Sequence, residues 1–191
     1  MSIELKNISF AYGENTVLND FNLTVNDGEC VCLSGRSGCG KTTVSRLITG
    51  LEAPQSGSVL APEKISVVFQ EDRLLNHLTL EENIYFPLSL PYEMLPDADG
   101  LIERLGLAEY KKSKVSQLSG GMKRRVAIAR AILYEGDALV LDEPFNGLDE
   151  ENRKIVADII KEVFLERQKP VFLITHIKED AQLLNARIIE M

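Results

Sequence analysis

The sequence predicts an α/β fold in which a mostly parallel sheet is covered by helices on both faces. Short apolar runs alternate with amphipathic segments, the pattern of strands joined by crossover helices. A glycine-rich loop, Gly35-Arg36-Ser37-Gly38-Cys39-Gly40-Lys41-Thr42, joins one such run to a helical segment. The first residues alternate with period two instead, so an N-terminal antiparallel β subdomain precedes the parallel part. A polar, proline-broken stretch ahead of a long helix predicts an inserted helical subdomain.

Taken in order, Ile3 and Glu4 open the first strand, where Ile8, Phe10 and Tyr12 alternate up to a turn at Gly13-Glu14-Asn15. Val17, Phe21, Leu23 and Val25 resume the alternation until Asn26-Asp27-Gly28. Cys30-Val31-Cys32-Leu33 is apolar throughout, as a strand buried on both faces must be. Thr43 to Ile48 leaves the loop as a helix stopped by Gly50. Ser58 to Leu60 and Ile65 to Phe69 are short strands around Pro62. From Glu71 to Gln117, Pro87, Pro91 and Pro96 cut a helical pattern into short helices, one of them Asp97 to Leu105, ended by Gly106. Ser119 caps a long helix through Leu133. Ala138 to Leu141 is a second buried strand. Glu150 to Glu166 is an amphipathic helix with Ile155, Ile159 and Val163 inward and Phe164 as a further candidate. Val171 to Thr175, a short helix and Ala186 to Ile189 close the chain. The expectation is one domain over 1–191: residues 1–69 and 135–191 form the core with its β subdomain, and 71–134 the helical subdomain.

The 29 acidic residues outnumber 21 basic ones, and the net charge of -8 argues against an obligatory nucleic-acid partner. The tight basic cluster Lys123-Arg124-Arg125 falls on a predicted helix and is expected to be a solvated face. Cys30 and Cys32 share one face of a strand and read as small buried hydrophobes, not as a disulfide framework. Cys39 lies in the glycine-rich loop beside Lys41, where reactivity toward alkylating agents is expected. No basic-then-apolar leader and no apolar run of membrane-spanning length is present. The expectation is therefore a cytosolic chain that meets a membrane only through a partner.

The loop matches G-x-x-x-x-G-K-[ST] between a strand and a helix, a phosphate-binding arrangement. Its glycines let backbone N–H groups turn inward around a phosphate, and the new helix points its positive end at the anion. Lys41 can reach β- and γ-phosphates and the Thr42 hydroxyl can ligate Mg²⁺, so a nucleoside triphosphate is the implied ligand. A second constellation ends the strand Leu139-Val140-Leu141: Asp142 reads as a partner of Mg²⁺. Adjacent strand residues point opposite ways, so Glu143 is expected to be free for another task, such as deprotonating water. A general base of this kind contributes about 10²–10⁴-fold.

Leu118-Ser119-Gly120-Gly121-Met122, followed by Arg125-Val126-Ala127-Ile128-Ala129-Arg130-Ala131, resembles the signature motif of ABC-type ATPases, and the likeness runs in order over nearly the whole chain. It implies a P-loop NTPase fold and the ATP-hydrolysing subunit of a transporter, with ATP and Mg²⁺ as cofactors. By this resemblance the loop residues Gly35, Arg36, Ser37, Gly38, Cys39, Gly40, Lys41, Thr42 and Thr43 bind nucleotide, and Tyr12 stacks on adenine. Thr42, Gln70 and Asp142 serve the metal, and Gln70 also links the γ-phosphate site to a membrane partner. Lys41, Gln70, Glu143 and His176 carry the catalysis, Glu143 as the catalytic glutamate and His176 as the switch histidine. Ser119, Gly120, Gly121 and Asp149 meet the nucleotide held by a second chain. Blander readings stand beside these. Tyr12 continues the Ile8/Phe10 face and could be core, whereas an exposed aromatic on a base is worth about 1–3 kcal/mol. Gln70 could be a surface amide, Asp149 a helix cap and His176 a capping histidine. His77 has no such context.

The resemblance further implies a homodimer or pseudo-symmetric dimer closing on two ATP molecules, an integral membrane subunit, and for an importer an extracellular substrate-binding protein. The chain would sit on the inner face of the plasma membrane. The segment from Glu71 to about Met94 would present a groove to the membrane subunit's coupling helix. Met122, where the commonest signature has Gln, and Val68-Phe69-Gln70-Glu71-Asp72-Arg73-Leu74-Leu75 resemble importers of the nitrate, sulfonate and taurine type, although that group usually has Pro-Trp near Asn76-His77. The short stretch between Lys41 and Gln70 implies a trimmed β subdomain, and Ile177 stands where many members have Asp. No C-terminal regulatory domain is expected. The rival readings are a soluble ABC ATPase of DNA repair or translation, which carries large insertions or tandem units, and a nucleotide-gated module without turnover.

Overall fold

A computed structural model describes residues 2–88, 90, 96 and 98–191. Strands β1 (Ile3–Tyr12) and β2 (Asn15–Val25) form a hairpin about the two-residue turn Gly13-Glu14. β3 (Cys30–Ser34) belongs to the other sheet, while β4 (Ser56–Leu60) pairs back on β1, giving an antiparallel order β2-β1-β4. The parallel sheet is completed by β5 (Ile65–Val68), β6 (Ala138–Asp142), β7 (Val171–Ile174) and β8 (Arg187–Glu190), in the order β5-β6-β7-β3-β8. Its central strands read as unbroken apolar runs because both faces are covered. Val31, Leu33, Val140 and Phe172 face one layer, while Cys30, Cys32, Leu139 and Leu141 face the other.

Six helices surround these sheets among the described residues: α1 (Lys41–Ile48), α2 (Leu80–Tyr85), α3 (Asp99–Arg104), α4 (Gly120–Leu133), α5 (Glu150–Ile160) and α6 (Lys178–Leu183). The parallel sheet divides the interior into two cores. One holds the antiparallel sheet and α1, through Ile3, Ile8, Phe10, Val44 and Ile48. The other gathers Ile84 of α2, Ile102 of α3, Ile128 of α4 and Val156 of α5 against the opposite face. The helical segment therefore packs onto the sheet it interrupts. Its short helices are held by local devices. Thr79 and Glu82 form a capping box for α2. Buried Asn83 donates to the carbonyls of Leu75 and Thr79 and accepts from the Leu75 N–H at 2.7 Å.

Most expected elements are present, and both Cys30 and Cys32 are buried thiols. Burial pushes both thiols up, Cys32 to about 11. The helix from Glu150 turns the expected stripe to the core, with a wider buried face than the sequence indicates. Val156, Ala157, Ile159, Ile160 and Phe164 are buried, whereas Ile155 and Val163 are only half-buried. A π-helical turn over Lys161–Leu165 follows α5 and shifts the stripe from a strict 3.6 period. The expected helix from Asp97 is seen from Asp99, Asp97 itself lying outside the described residues. Among the described residues no helix is long and apolar enough to cross a membrane.

Lys123-Arg124-Arg125 is not a solvated face. Arg124 is 6% exposed. Arg125 is half-buried, and its Nη1 donates to the Leu105 carbonyl at 2.6 Å. Arg124 stands four and seven residues before buried Ile128 and Ala131, so helical geometry turns it inward with them.

The outer strand β8 is tied down by charge. Arg187 Nε donates to Glu29 Oε1 at 2.5 Å and Nη2 to the Thr24 carbonyl at 2.8 Å. Burial pushes the Glu29 carboxyl up, but hydrogen bonds from Arg187 and Asn26 more than offset it, leaving the group below its ordinary 4.5. A depressed carboxyl contributes stability above its unfolded value and loses it as pH falls through the folded one. Arg187→Met is thus expected to cost about 0.5–1 kcal/mol at neutral pH, given the partial exposure of the pair. In urea denaturation the ion-pair part of that difference should shrink as the pH falls below 4.5.

Candidate active site

Parallel pairing brings the C-terminal ends of β3, β6 and β7 to one edge: Ile174 pairs with Leu33 on one side and Asp142 on the other. In open parallel sheets ligands bind at this edge. Past β3 the chain forms the glycine-rich loop and enters α1 at Lys41. Gly40 caps that helix at φ 111, and a Cβ there would stand 2.9 Å from Val17 Cγ1. The loop can therefore turn so tightly only with glycine at this position. Lys41 Nζ donates to the carbonyls of Gly35 at 2.8 Å and Arg36 at 2.9 Å, and lies 3.8 Å from Cys39 Sγ.

Asp142 ends β6 and is 6% exposed. Burial and the adjacent Glu143 carboxylate push its carboxyl above the ordinary value, opposed by Arg124, Lys41 and a hydrogen bond with Thr42. Glu143 does not point to the opposite side, as strand alternation would have it. The strand ends at Asp142, and Glu143 takes φ 50, a left-handed conformation uncommon outside glycine. Its N–H still bonds the Ile174 carbonyl at 2.9 Å, and fully buried Phe145 anchors the turn that follows. Both carboxylates consequently line one cavity. Glu143 Oε1 meets His176 Nδ1 at 2.8 Å. Glu143 Oε2 is buried without a hydrogen-bond partner among the described residues.

The cavity measures about 490 Å³, within the range of small-molecule sites. Of the sequence-predicted residues it gathers Tyr12, Ser37, Gly38, Gly40, Lys41, Thr42, Thr43, Gln70, Asp142 and Glu143. Tyr12 is exposed, not core, and stands edge-on to Phe10 with ring centroids 4.9 Å apart. Gly35, Arg36 and Cys39 do not line the cavity; the first two present carbonyls to Lys41.

Ser119, Gly120, Gly121 and Asp149 lie elsewhere. Ser119 Oγ caps α4 by accepting from the Met122 N–H, and Asp149 Oδ1 caps α5 by accepting from the Asn152 N–H at 2.8 Å. Gly121 packs so closely on the next loop that a Cβ would stand 2.9 Å from the Gly147 carbonyl.

No group of three or more His, Cys, Asp or Glu side chains that could hold a metal is gathered among the described residues. The donor set nonetheless fits Mg²⁺. The Thr42 hydroxyl, the Gln70 amide and the buried Asp142 carboxylate line the same cavity. Mg²⁺ needs only one or two carboxylates when phosphates and water complete its shell.

Arg124 and Arg130 are residues of the site's surroundings that sequence reasoning missed. Arg124 donates to the carbonyls of Phe69 and Gln70, and Arg130 to those of Asp72 and Arg73. The inward register of Arg124 on α4 was the available signal.

The family model for ABC transporters matches residues 18–146. A spermidine/putrescine import ATP-binding protein of Haemophilus influenzae is 40% identical over 98% of this chain and 54% of its own length. An aliphatic sulfonates import ATP-binding protein of Rhodococcus jostii is 38% identical over 99% of this chain and 78% of its own length. The chain belongs to the ABC transporter family. A bicarbonate transport ATP-binding protein of Synechocystis is 35% identical, covering 99% and 73% of the two chains. A solved ATP-binding subunit of an ABC transporter superposes with a TM-score of 0.88 at 27% identity, covering 100% of this chain and 86% of that one. The chain spans about half the length of the spermidine/putrescine relatives it matches. The sulfonate relative accords with the likeness to the nitrate, sulfonate and taurine group.

Cys39 is the half-exposed thiol, against 4% and 1% exposure at Cys30 and Cys32. Maleimide is therefore expected to modify the native chain once, at Cys39, as read by intact mass and peptide mapping. ATP should slow that reaction, and Cys39→Ser should abolish it. Modification of Cys30 or Cys32 in the folded chain would contradict the burial described.

Proposed function

We propose that this chain is the ATP-hydrolysing subunit of an ABC importer, working as a dimer around two ATP molecules. The observation that carries the reading is the meeting of Tyr12, the phosphate loop, Gln70, Asp142 and Glu143 in one cavity, with His176 bonded to Glu143. The loop amides and Lys41 bind the phosphates, and Tyr12 presents a face to the base. Thr42, Gln70 and Asp142 would hold Mg²⁺, which would supply neutralisation of phosphate charge. Glu143 is the base, since its carboxylate lines the cavity in which the attacking water would sit. His176 fixes the carboxylate through Oε1 and reports the γ-phosphate. Ser119, Gly120 and Gly121 form a second helix N-terminus suited to an anion, and its place outside the cavity supports a role toward a partner's nucleotide.

Import is the direction because the polyamine and sulfonate relatives are named import proteins. Their different cargoes support selection of substrate by the membrane and binding subunits. The chain is then cytoplasmic and reaches the inner membrane face through its membrane subunit. Phe86, 63% exposed after α2, supports a docking groove in the 71–94 segment, although Met94 lies outside the described residues.

Glu143→Gln tests the reading. It keeps the hydrogen bond geometry but removes the base, so hydrolysis should fall by about 10²–10⁴-fold. Size-exclusion chromatography with ATP and Mg²⁺ should then show a stable dimer. A variant that hydrolyses ATP at the parent rate would remove Glu143 from the role of base.

A further inference from the structure

We infer that Asp180 is a positioning residue for His176, acting through the Thr175 hydroxyl. The His176 side chain is 64% exposed, and among the described residues its ring makes one hydrogen bond, to Glu143 Oε1 at 2.8 Å. With so much of the ring in solvent, packing does not place it; the backbone on either side does. β7 stops at Ile174 and α6 starts at Lys178, so residues 175–177 belong to neither element. The buried Thr175 side chain fixes them. Its Oγ1 accepts from the Ile177 N–H at 3.1 Å, spanning His176, and donates to Asp180 Oδ2 at 3.1 Å. A hydroxyl has one proton, and giving it to Asp180 turns the lone pairs toward the Ile177 N–H. Asp180 thus sets the direction of the hydroxyl, and the hydroxyl closes the turn that carries His176.

Asp180 is itself held from outside the turn. It is 1% exposed, on the first turn of α6. Arg153 of α5 donates to its Oδ1 through Nη1 at 3.4 Å, while Arg153 Nε donates to the Leu148 carbonyl at 3.1 Å. Burial pushes the Asp180 carboxyl above its ordinary value, opposed by the Thr175 hydrogen bond and by Arg153. Two donors from different elements therefore take one oxygen each, and a carboxylate is the side chain that offers two. An amide in its place would turn an NH₂ group toward one of them. Capping a six-residue helix requires neither burial nor an arginine from another element. The inference rests on the proposed reading that His176 steadies Glu143 and meets the γ-phosphate.

The test uses Thr175→Val, which keeps the shape and removes the hydroxyl, Thr175→Ser, which keeps the hydroxyl, and Asp180→Asn, which removes one acceptor. The chain has two histidines, so a proton–nitrogen correlation spectrum of the imidazoles, assigned with His77→Gln, reads His176 directly in the nucleotide-free protein. In the parent the His176 signals should stand apart from those of exposed His77, because of the bond to Glu143. Thr175→Val is expected to bring them to the positions of a freely solvated ring and Asp180→Asn to bring them part of the way, while Thr175→Ser leaves them in place. Thr175→Val should lower kcat by about 10- to 100-fold, the scale of a reacting group misplaced by an ångström or less, with KM for ATP nearly unchanged. In a His176→Ala background it should not lower the residual single-turnover rate further, because Thr175 and Asp180 act through His176. An unmoved His176 signal in either Thr175→Val or Asp180→Asn would overturn this role. So would a loss that multiplies with that of His176→Ala, the behaviour of a group that only supports the fold. If Thr175→Val does not fold, Asp180→Asn decides by the same readings. A parent chain without ATP hydrolysis would instead sink the proposed function, and the spectrum would still decide how His176 is held.

Discussion

Ile174 pairs with Leu33 on one side and with Asp142 on the other, and the site depends on that shared register. It brings three strand ends level, so the phosphate loop after β3, the acidic turn after β6 and His176 after β7 emerge at one edge. A slip of one residue in β6 would carry Asp142 to the other face of the sheet and Glu143 away from His176. The register is specified by burial. Leu139 and Leu141 face one core and Ala138 and Val140 the other, all almost wholly buried, and a slip would draw Asp137 or Asp142 into one of these apolar places.

The edge so formed concentrates charge that the fold would otherwise avoid. Asp142 is buried next to a second carboxylate, and the cations near it, Lys41 and Arg124, do not bring its carboxyl back to the ordinary value. Glu143 adds a left-handed backbone and a buried unpaired oxygen. Such strain is tolerated where the surroundings over-determine it, and costs of order 1–3 kcal/mol per strained residue. Here the Ile174 carbonyl holds the Glu143 N–H, His176 holds Oε1, and Phe145 is locked in the core. A cation and a polyphosphate would relieve what the protein alone leaves unbalanced.

The sequence made much of this legible. Strand identities followed from unbroken apolar runs, the α4 start from Ser119, and the phosphate loop from its glycines. What stayed hidden depended on tertiary context. Alternation along β6 freed Glu143 for a task of its own but could not show the left-handed backbone that turns it into the same cavity as Asp142, because a chain's period says nothing of where the strand stops. Lys123-Arg124-Arg125 looked like a surface cluster because charge outweighed position. The Phe69 and Gln70 carbonyls that make a buried arginine affordable lie more than fifty residues away. The π-helical turn after α5 was not announced by any local residue type. Asp149 had two readings, and the observed hydrogen bond supplies the cap without excluding the other.

Of the helix starts of α1 and α4, both suited to anions, only that of α1 opens on the cavity among the described residues. The start of α4 is held off by its own neighbours. Gly121 rests against the Gly147 carbonyl, and the body of the helix grips residues 69–73. Gly147 in turn lies four residues past Glu143, in the turn anchored by Phe145 and closed by the Asp149 cap. The base and the second anion-binding start are therefore joined through one short, well-packed loop. In the proposed dimer, a partner's nucleotide meeting Ser119 would press on the loop that holds the base, because Gly121 rests on that loop.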